Sequence, residues 1–182
     1  MNAFRVLGVD PGIARLGYGV VDVEGSSLRC VTYGCIETRA QTPLPVRLQT
    51  IFRELTDLIQ RHSPAVMAVE ELFFNRNTTT AFTVGQARGV ALLSAAEQSL
   101  AIAEYTPMQV KQAVTGYGRA DKQQIQQMVK LLLNLVELPK PDDAADALAI
   151  AITHGHSAPI ERLEVRETNR TTGWNWERRT RR

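Results

Sequence analysis

The feature that most constrains the fold is a short acidic segment leading directly into small and branched apolar residues, at positions 140–154. Pro141 stands where a helix would begin, and acidic residues follow it in the first turn. Asp143 and Asp146 are three residues apart, so at about 100° per residue they lie roughly 60° from each other on one helix face. The face behind them is apolar enough to be buried and comprises Ala147, Leu148, Ala151 and Ile152.

Two explanations are open for these aspartates. Acidic residues in a first turn complement the helix dipole and can cap backbone N–H groups, which is worth about 0.5–2 kcal/mol for a good cap. That accounts for Asp142 and Asp143, but not for Asp146, which lies a full turn into the helix among alanines. Two carboxylates on a buried helix repel each other and are costly to bury, so a metal-binding or acid–base role stays open.

Composition predicts one globular domain followed by a basic tail. The chain has 182 residues, of which 44% are hydrophobic and 22% charged, enough for one substantial core. The net charge of +2 is too small to indicate nucleic-acid binding by itself. Residues 160–182 hold seven arginines against four glutamates and show no apolar periodicity. We therefore expect a domain at 1–157 and a disordered basic tail at 158–182, which either contacts phosphate or a partner or has no function.

The cysteines and histidines give little indication of a metal or redox site. Cys30 and Cys35 fall on one predicted strand, five residues apart and hence on opposite faces, and they have no zinc-type spacing. His154 and His156 stand near the expected end of the last helix, where histidines are more often surface residues than ligands. No signal peptide and no run of 18 apolar residues is present, so we expect a cytoplasmic protein that does not contact membranes.

The first part of the chain predicts strands that end in acidic residues. An apolar strand at 4–9 ends at Asp10, before a Pro-Gly turn, and strands at 17–23 and 28–36 complete an antiparallel meander. A helix that starts after Pro45 and ends near His62, with a strand at 65–69 ending at Glu70, predicts a right-handed crossover. If this strand lies parallel beside the first, the two strand ends share one edge of the sheet and Glu70 lies close to Asp10.

The remainder predicts one more strand and several helices. A loop at 72–77 carries Phe73 and Phe74, and a glycine- and alanine-rich helix at 84–97 should pack against the sheet or a second subunit. Arg88 lies between two glycines of this helix and could anchor a carboxylate inside the fold. A strand at 101–105, a helix from Pro107 and a helix at 123–136 follow.

Together these elements predict a cluster of four carboxylates, Asp10, Glu70, Asp143 and Asp146. Carboxylates converging in a cleft leave a negative charge that divalent cations neutralise, and all-oxygen ligands favour Mg²⁺ or Mn²⁺ over zinc. Two such ions about 3.5–4 Å apart can activate water and stabilise a leaving oxygen on a phosphodiester.

Five motifs in order along residues 4–156 resemble RuvC, the family of bacterial Holliday junction resolvases. They are Gly-Val-Asp10-Pro-Gly, Ala-Val-Glu70-Glu-Leu-Phe73, Gly85-Gln-Ala-Arg-Gly89, Gln109-Val-Lys-Gln112 and Asp143-Ala-Ala-Asp-Ala-Leu-Ala149. Each motif is weak alone, but five collinear motifs are specific. The resemblance does not cover the tail.

The resemblance implies a ribonuclease-H-like α/β fold, with a mixed five-stranded sheet flanked by helices. It also implies a homodimer that makes paired, Mg²⁺-dependent nicks in opposed strands of four-way DNA junctions during recombination and repair. Mn²⁺ can substitute, and a branch-migration motor of the RuvA and RuvB type is the expected partner. The metal-binding carboxylates map onto Asp10, Glu70, Asp143 and Asp146. The expected DNA contacts are Phe73, which stacks on bases, and Phe74, Arg76, Lys111 and Lys122.

Three other functions compete with a junction resolvase. The segment around Asp10 also resembles the first phosphate loop of actin-like and sugar-kinase ATPases, but those proteins need two such domains and a second phosphate loop that this sequence lacks. A module that binds branched DNA without cutting it would not need a complete carboxylate set. A related nuclease acting on RNA would be distinguished by its response to a 2′-hydroxyl at the cut.

Overall fold

The computed structural model describes residues 3–71 and 78–168, and for residues 78–81 and 158–168 it describes the helix path only. This part of the chain forms five strands and five helices. In chain order they are β1 (Phe4–Asp10), β2 (Arg15–Glu24), β3 (Ser27–Glu37), α1 (Leu44–His62), β4 (Val66–Glu70), α2 (Thr78–Glu97), β5 (Ala101–Tyr105), α3 (Pro107–Thr115), α4 (Lys122–Leu132) and α5 (Asp142–Thr168).

The strands form one mixed sheet in the order β3-β2-β1-β4-β5. β1, β2 and β3 pair antiparallel, which confirms the predicted meander. β4 pairs parallel to β1 with Val9 opposite Val69, and β5 pairs parallel to β4. The crossover through α1 therefore brings the carboxyl ends of β1 and β4 to one edge of the sheet, as predicted.

The sheet separates two hydrophobic cores. One lies under α5 and includes Val6, Val21 and Leu148, and the other lies under α1 and α2 and includes Leu7, Val20 and Leu55. Neighbouring residues of β1 thus alternate between the cores, as a strand buried on both faces requires. The predicted buried face of the acidic helix is confirmed, because Ala147, Leu148, Ala151 and Ile152 are fully buried in α5.

α5 lies unusually close to the sheet because glycines stand beneath it. A Cβ atom added to Gly8 would lie 2.1 Å from the carbonyl oxygen of Ala147, and one added to Gly17 would lie 2.0 Å from that of Asp143. Gly19 likewise faces Leu148. Only residues without a side chain allow this approach, and it fixes the height of the two α5 aspartates above the strand ends.

The prediction that the two cysteines lie on opposite faces is wrong. The pairing of β2 with β3 shifts by one residue between Val20 and Val21, where β3 carries a bulge. Cys30 pairs with Val21 and Cys35 pairs with Gly17. Because Gly17 and Val21 are four residues apart on a regular strand, both cysteines face α5. Both cysteines are free thiols. The β2 residues that they pair with are four residues apart, although the cysteines themselves are five residues apart on β3.

α5 is longer than expected and buries one of its histidines. It continues to Thr168, past the predicted boundary at residue 157, while residues 169–182 lie outside the described part of the chain, so the predicted tail stays a prediction. His154 is buried rather than on the surface, and its Nδ1 shares a hydrogen bond of 2.7 Å with the hydroxyl of Tyr105. Nothing in the described helices has the length and apolarity that crossing a membrane would require.

Candidate active site

The predicted acidic residues of the sheet edge and of α5 meet at one cavity. Alternation along β1 places Asp10 on the same face as Gly8, which contacts α5, and Glu70 is at the end of the neighbouring parallel strand. Asp10, Glu70 and Asp146 line a cavity of about 220 Å³. The predicted adjacency of Asp10 and Glu70 is confirmed, and the structure adds Asp146 from the helix above them.

Asp143 belongs to the same region but lines a neighbouring cleft. Its Oδ2 lies 3.4 Å from Nη1 of Arg15, and it faces residues of the β1–β2 and β3–α1 connections. Within residues 3–71 and 78–168, no three acidic, cysteine or histidine side chains are arranged to hold one metal ion. The fold therefore gathers the four predicted carboxylates around one end of α5 without closing them into a complete metal site.

Burial and mutual repulsion shift the titration of these carboxylates. Burial, with added repulsion from Asp146, Glu70 and Asp143, raises the pKa of Asp10 to about 7. Burial also raises the pKa of Glu70, and repulsion from Asp146 adds to that rise. The pKa of Asp146 is raised by burial despite the opposing charge of Lys122. The site thus has more negative charge than its own cations neutralise.

The raised pKa of Asp10 predicts that the metal-free protein loses stability as the pH rises. The folded protein keeps this proton up to about pH 7, whereas the unfolded chain releases it near about pH 4, so the native state binds more protons between these values. In EDTA, the free energy of unfolding should fall between about pH 4 and pH 7, by at most about 4 kcal/mol from this group, and then level off. Urea denaturation of the wild type and of Asp10→Asn would measure this, and equal pH slopes for the two proteins would contradict it.

Two lysines face the cavity and partly balance its charge. Nζ of Lys122 lies 3.2 Å from Oδ2 of Asp146 and 3.3 Å from Oδ2 of Asp142. Lys111 lines the same cavity and opposes the rise in the pKa of Glu70. Both predicted phosphate ligands are therefore at the site, while Phe73, Phe74 and Arg76 lie outside the described side chains.

Local sequence signals explain where these lysines stand. Lys122 is the first residue of α4, which opens with a capping box between Asp121 and Gln124. α3, which carries Lys111, opens with the same device between Thr106 and Gln109. A capping box satisfies two free backbone N–H groups and fixes where a helix starts, so both lysines are held on regular helices and not on loops.

Arg88 anchors the strand end that carries Glu70. Its Nη2 lies 2.6 Å from Oε2 of Glu104 on β5, and its Nε donates a 3.3 Å hydrogen bond to the backbone carbonyl of Glu70. The side chain is only 15% exposed. The hypothesis that Arg88 anchors a carboxylate is thus confirmed for Glu104, and the contact to the Glu70 backbone is an additional finding.

Replacement of Arg88 by methionine should therefore destabilise the fold and loosen Glu70. We expect a loss of about 1–3 kcal/mol in the free energy of unfolding, because the carbonyl of Glu70 and the partly exposed carboxylate of Glu104 lose the charged, mostly buried donor that they share. Thermal denaturation measures this loss. Arg53→Met, at an exposed position of α1, is the matched control and should stay within about 0.5 kcal/mol of wild type. Equal melting temperatures for the two variants would show that Arg88 anchors nothing.

Sequence reasoning missed Arg15 and the glycines beneath α5. Arg15 begins β2 immediately after the turn that follows Asp10, and it bridges Asp143 and Glu37. The glycines could have been recognised by their alternation, since Gly17 and Gly19 are two residues apart on one strand and must face the same side. Arg15 had no such signal, because its partner is 128 residues away in the chain.

Comparison with known proteins agrees with this geometry. The family model described as "Crossover junction endodeoxyribonuclease RuvC" matches residues 6–154. A crossover junction endodeoxyribonuclease RuvC of Brevibacillus brevis is 63% identical over 150 residues, which is 82% of this chain and 90% of that protein.

Solved structures support the same assignment. The RuvC structure of Thermus thermophilus superimposes with a TM-score of 0.80 at 41% identity, covering 86% of this chain and 96% of that one. The same protein in complex with Holliday junction substrate gives a TM-score of 0.83 at 40% identity, covering 87% and 96%. The mixed five-stranded sheet with its helices is thus the ribonuclease-H-like fold of these proteins. By sequence and by structure, this chain belongs to the RuvC family of crossover junction endodeoxyribonucleases.

Proposed function

We propose that this endonuclease resolves four-way DNA junctions by metal-dependent hydrolysis at the cavity lined by Asp10, Glu70 and Asp146. The observation that carries the proposal is the convergence of these carboxylates from two strand ends and a helix into one partly buried site. The similarity to the Thermus protein supports this substrate, since that protein has been solved in complex with Holliday junction substrate. Paired nicks in two opposed strands would resolve the junction during recombination and repair, in the cytoplasm where chromosomal DNA lies.

The chemistry of the donor set fits a divalent cation. Asp10, Glu70, Asp143 and Asp146 offer only oxygen atoms, which suit Mg²⁺ or Mn²⁺ better than zinc. Burial and then repulsion from the neighbouring carboxylates raise the pKa of Asp10, and a bound cation would relieve that repulsion. When bound, the cation supplies activation of a water molecule and stabilisation of the leaving oxygen at a phosphodiester.

The two lysines then act on the phosphate. Lys122 is held by Asp142 and Asp146, and these are exchangeable contacts because its side chain is about half exposed. If Asp146 held a cation, the Lys122 ammonium would be free to contact a phosphate oxygen at the cavity. Lys111, on the Glu70 side, offers a second positive charge there. Both would stabilise the charge that develops at the scissile phosphate.

We place further DNA contacts in the segment that follows β4. Phe73, Phe74 and Arg76 follow Glu70 within six residues of the chain, and this short separation in sequence is why we propose them as contacts near the cutting position. Phe73 and Phe74 would stack on bases near the crossover, at about 1–3 kcal/mol for each stacked base, and Arg76 would bind phosphate.

A homodimer would supply two symmetric cuts. The inner face of α2 buries Ala87, Ala91 and Ala95 against the sheet. Phe82 and Leu93 are exposed at 72% and 52%, and a Cβ built on Gly89 would meet no described atom within 4 Å beyond its own stretch of helix. These three positions fall on one stripe of the helix, which suits close packing with a second copy. A motor of the RuvA and RuvB type remains the proposed partner in the cell.

End-labelled synthetic junctions test the function. A junction with a mobile homologous core and one with a fixed core would be compared with linear duplex and a three-strand flap, each in Mg²⁺, Mn²⁺ or EDTA. We expect paired, symmetric, metal-dependent nicks with ligatable ends in the mobile junction only. Tight junction binding without a nick in any metal would instead identify a binding module.

A further inference from the structure

A second cleft lies directly beside the carboxylate cavity. It is lined by Gly12 to Arg15, by Glu37 to Arg39 and by Asp143, which precedes Asp146 by about one turn of α5. The space measures about 720 Å³, more than three times the 220 Å³ of the cavity itself. A nucleic-acid strand that passes over the carboxylates and continues past Asp143 would enter this cleft.

Arg15 is held in this cleft by contacts that exchange easily. Its Nε lies 3.2 Å from Oε1 of Glu37 and its Nη1 lies 3.4 Å from Oδ2 of Asp143. The side chains of Arg15 and Glu37 are 49% and 67% exposed. Exposed ion pairs of this kind contribute only about 0–1 kcal/mol to stability. The Arg15 guanidinium can therefore exchange Asp143 for another anionic oxygen with little loss of free energy.

The two backbone segments that line the cleft are hydrogen-bonded to each other. The hydroxyl of Thr38 donates to the carbonyl of Ile13 and accepts a 2.7 Å hydrogen bond from Nε of Arg47. The amide of Thr38 donates to the carbonyl of Ala14 at 3.0 Å. Arg15 follows Ala14 and the exposed Arg39 follows Thr38. The backbone next to both arginines is therefore held in place by these hydrogen bonds.

The charge of the cleft depends on Asp143. Arg15 and Arg39 are balanced by Glu37 and Asp143 as long as Asp143 pairs with Arg15. On the proposed function, on which this inference rests, Asp143 contributes its charge to a cation. The cleft then keeps two arginines against one glutamate, and Arg15 loses one of its two carboxylate partners.

We infer that Arg15 and Arg39 form a binding site for the backbone phosphate of the DNA strand that adjoins the cutting position. A guanidinium presents paired N–H donors that match phosphate oxygens. Contacts to phosphate fix the register of a protein on DNA without reading its sequence. The site would therefore hold the strand in place next to the carboxylates, whatever its bases.

The salt dependence of junction binding tests this inference. Affinity of the full-length protein for a four-way junction would be measured in Ca²⁺ from about 50 to about 200 mM KCl, for wild type, Arg15→Gln, Arg39→Gln and the double variant. Each lost phosphate contact should lower the log–log salt slope by about 0.9. Raising the salt fourfold weakens junction binding by some factor in wild type. That factor should be about 3.5 times smaller in each single variant and about 12 times smaller in the double variant.

Arg29→Gln is the matched control. Arg29 pairs with Asp22 on the same two strands, but Asp22 lies seven residues along β2 from Arg15, towards the far end of the sheet. This variant should keep the wild-type slope, and inorganic phosphate at millimolar concentration should not displace the junction from any of the proteins. Displacement by inorganic phosphate would show a site for the free anion and overturn the assignment to DNA.

The outcomes separate this inference from the proposed function. If wild type fails to bind the junction, the proposed function fails. If wild type binds and Arg15→Gln and Arg39→Gln keep the slope of Arg29→Gln, only the phosphate site is wrong. Melting temperatures of the variants, expected within about 2 °C of wild type for exposed residues, show whether any change in slope reflects unfolding.

Discussion

Replacement of Asp146 by asparagine should abolish junction cleavage, lowering the rate by about 10³-fold or more, while junction affinity stays within about threefold of wild type. Asp146 is the α5 carboxylate that lines the cavity with Asp10 and Glu70, and it repels both. An amide of the same shape keeps the packing of α5 but removes a negative oxygen from the predicted metal ligands. It also relieves repulsion, so the metal-free variant should be at least as stable as wild type.

Asp142→Asn provides the matched control for this prediction. Asp142 is the neighbouring acid on α5, touches the same Lys122 at 3.3 Å, and is 62% exposed outside the cavity. Single-turnover cleavage of a labelled mobile junction in Mg²⁺ should therefore be near wild type for Asp142→Asn and undetectable for Asp146→Asn. A cleavage rate for Asp146→Asn as high as that of Asp142→Asn would remove Asp146 from the proposed catalytic site, whereas a loss of cleavage in both variants would extend that site to Asp142.

The edge of the sheet could be predicted from the sequence because its signals are local. The strand that ends at Asp10 and the one that ends at Glu70 are each marked by an apolar run, and the intervening helix by its period. The handedness of the crossover then leaves few ways to arrange the two strands. Likewise Asp146 stood out because a helix period places it beside Asp143 and above a buried face.

Other features of the site depend on contacts between distant residues. The bulge in β3 moves Cys30 and Cys35 to one face, and no local pattern marks it. The buried bond between His154 and Tyr105 joins residues that are 49 apart in sequence. The pairing of Arg15 with Asp143 turns that aspartate toward a second cleft, although its helical spacing from Asp146 suggested one shared site. In each case a tertiary contact decides what the helix or strand period leaves open.

Replacement of Gly8 by alanine should both destabilise the protein and impair cleavage, because this glycine sets the distance between α5 and the sheet. The new Cβ would lie 2.1 Å from the carbonyl oxygen of Ala147 and 2.9 Å from the Cβ of Ala151, and backbone atoms cannot rotate away as a flexible side chain can. Opening the first contact to a tolerable 3.0 Å requires α5 to move by about 1 Å. Overpacking of this kind costs about 1–3 kcal/mol or more.

The catalytic effect follows from the same displacement. α5 carries Asp146 while β1 carries Asp10, so lifting the helix separates two carboxylates of the proposed metal site. A misplacement of about 1 Å can cost about 10²-fold in rate. For a domain of this size, the melting temperature should fall by about 6–12 °C for a loss of 3 kcal/mol (~2–4 °C per kcal/mol).

Gly118→Ala separates this effect from the general cost of adding a methyl group. The nearest atom to its new Cβ is Cγ of Met108 at 3.2 Å, on a side chain that is 70% exposed and free to move. Its melting temperature should stay within about 2 °C of wild type. Calorimetry gives the stability of both variants, and single-turnover cleavage well below the lower melting temperature gives the rate of the folded enzyme. A Gly8→Ala protein that melts and cuts like Gly118→Ala would mean that the close approach of α5 does not set the geometry of the carboxylates.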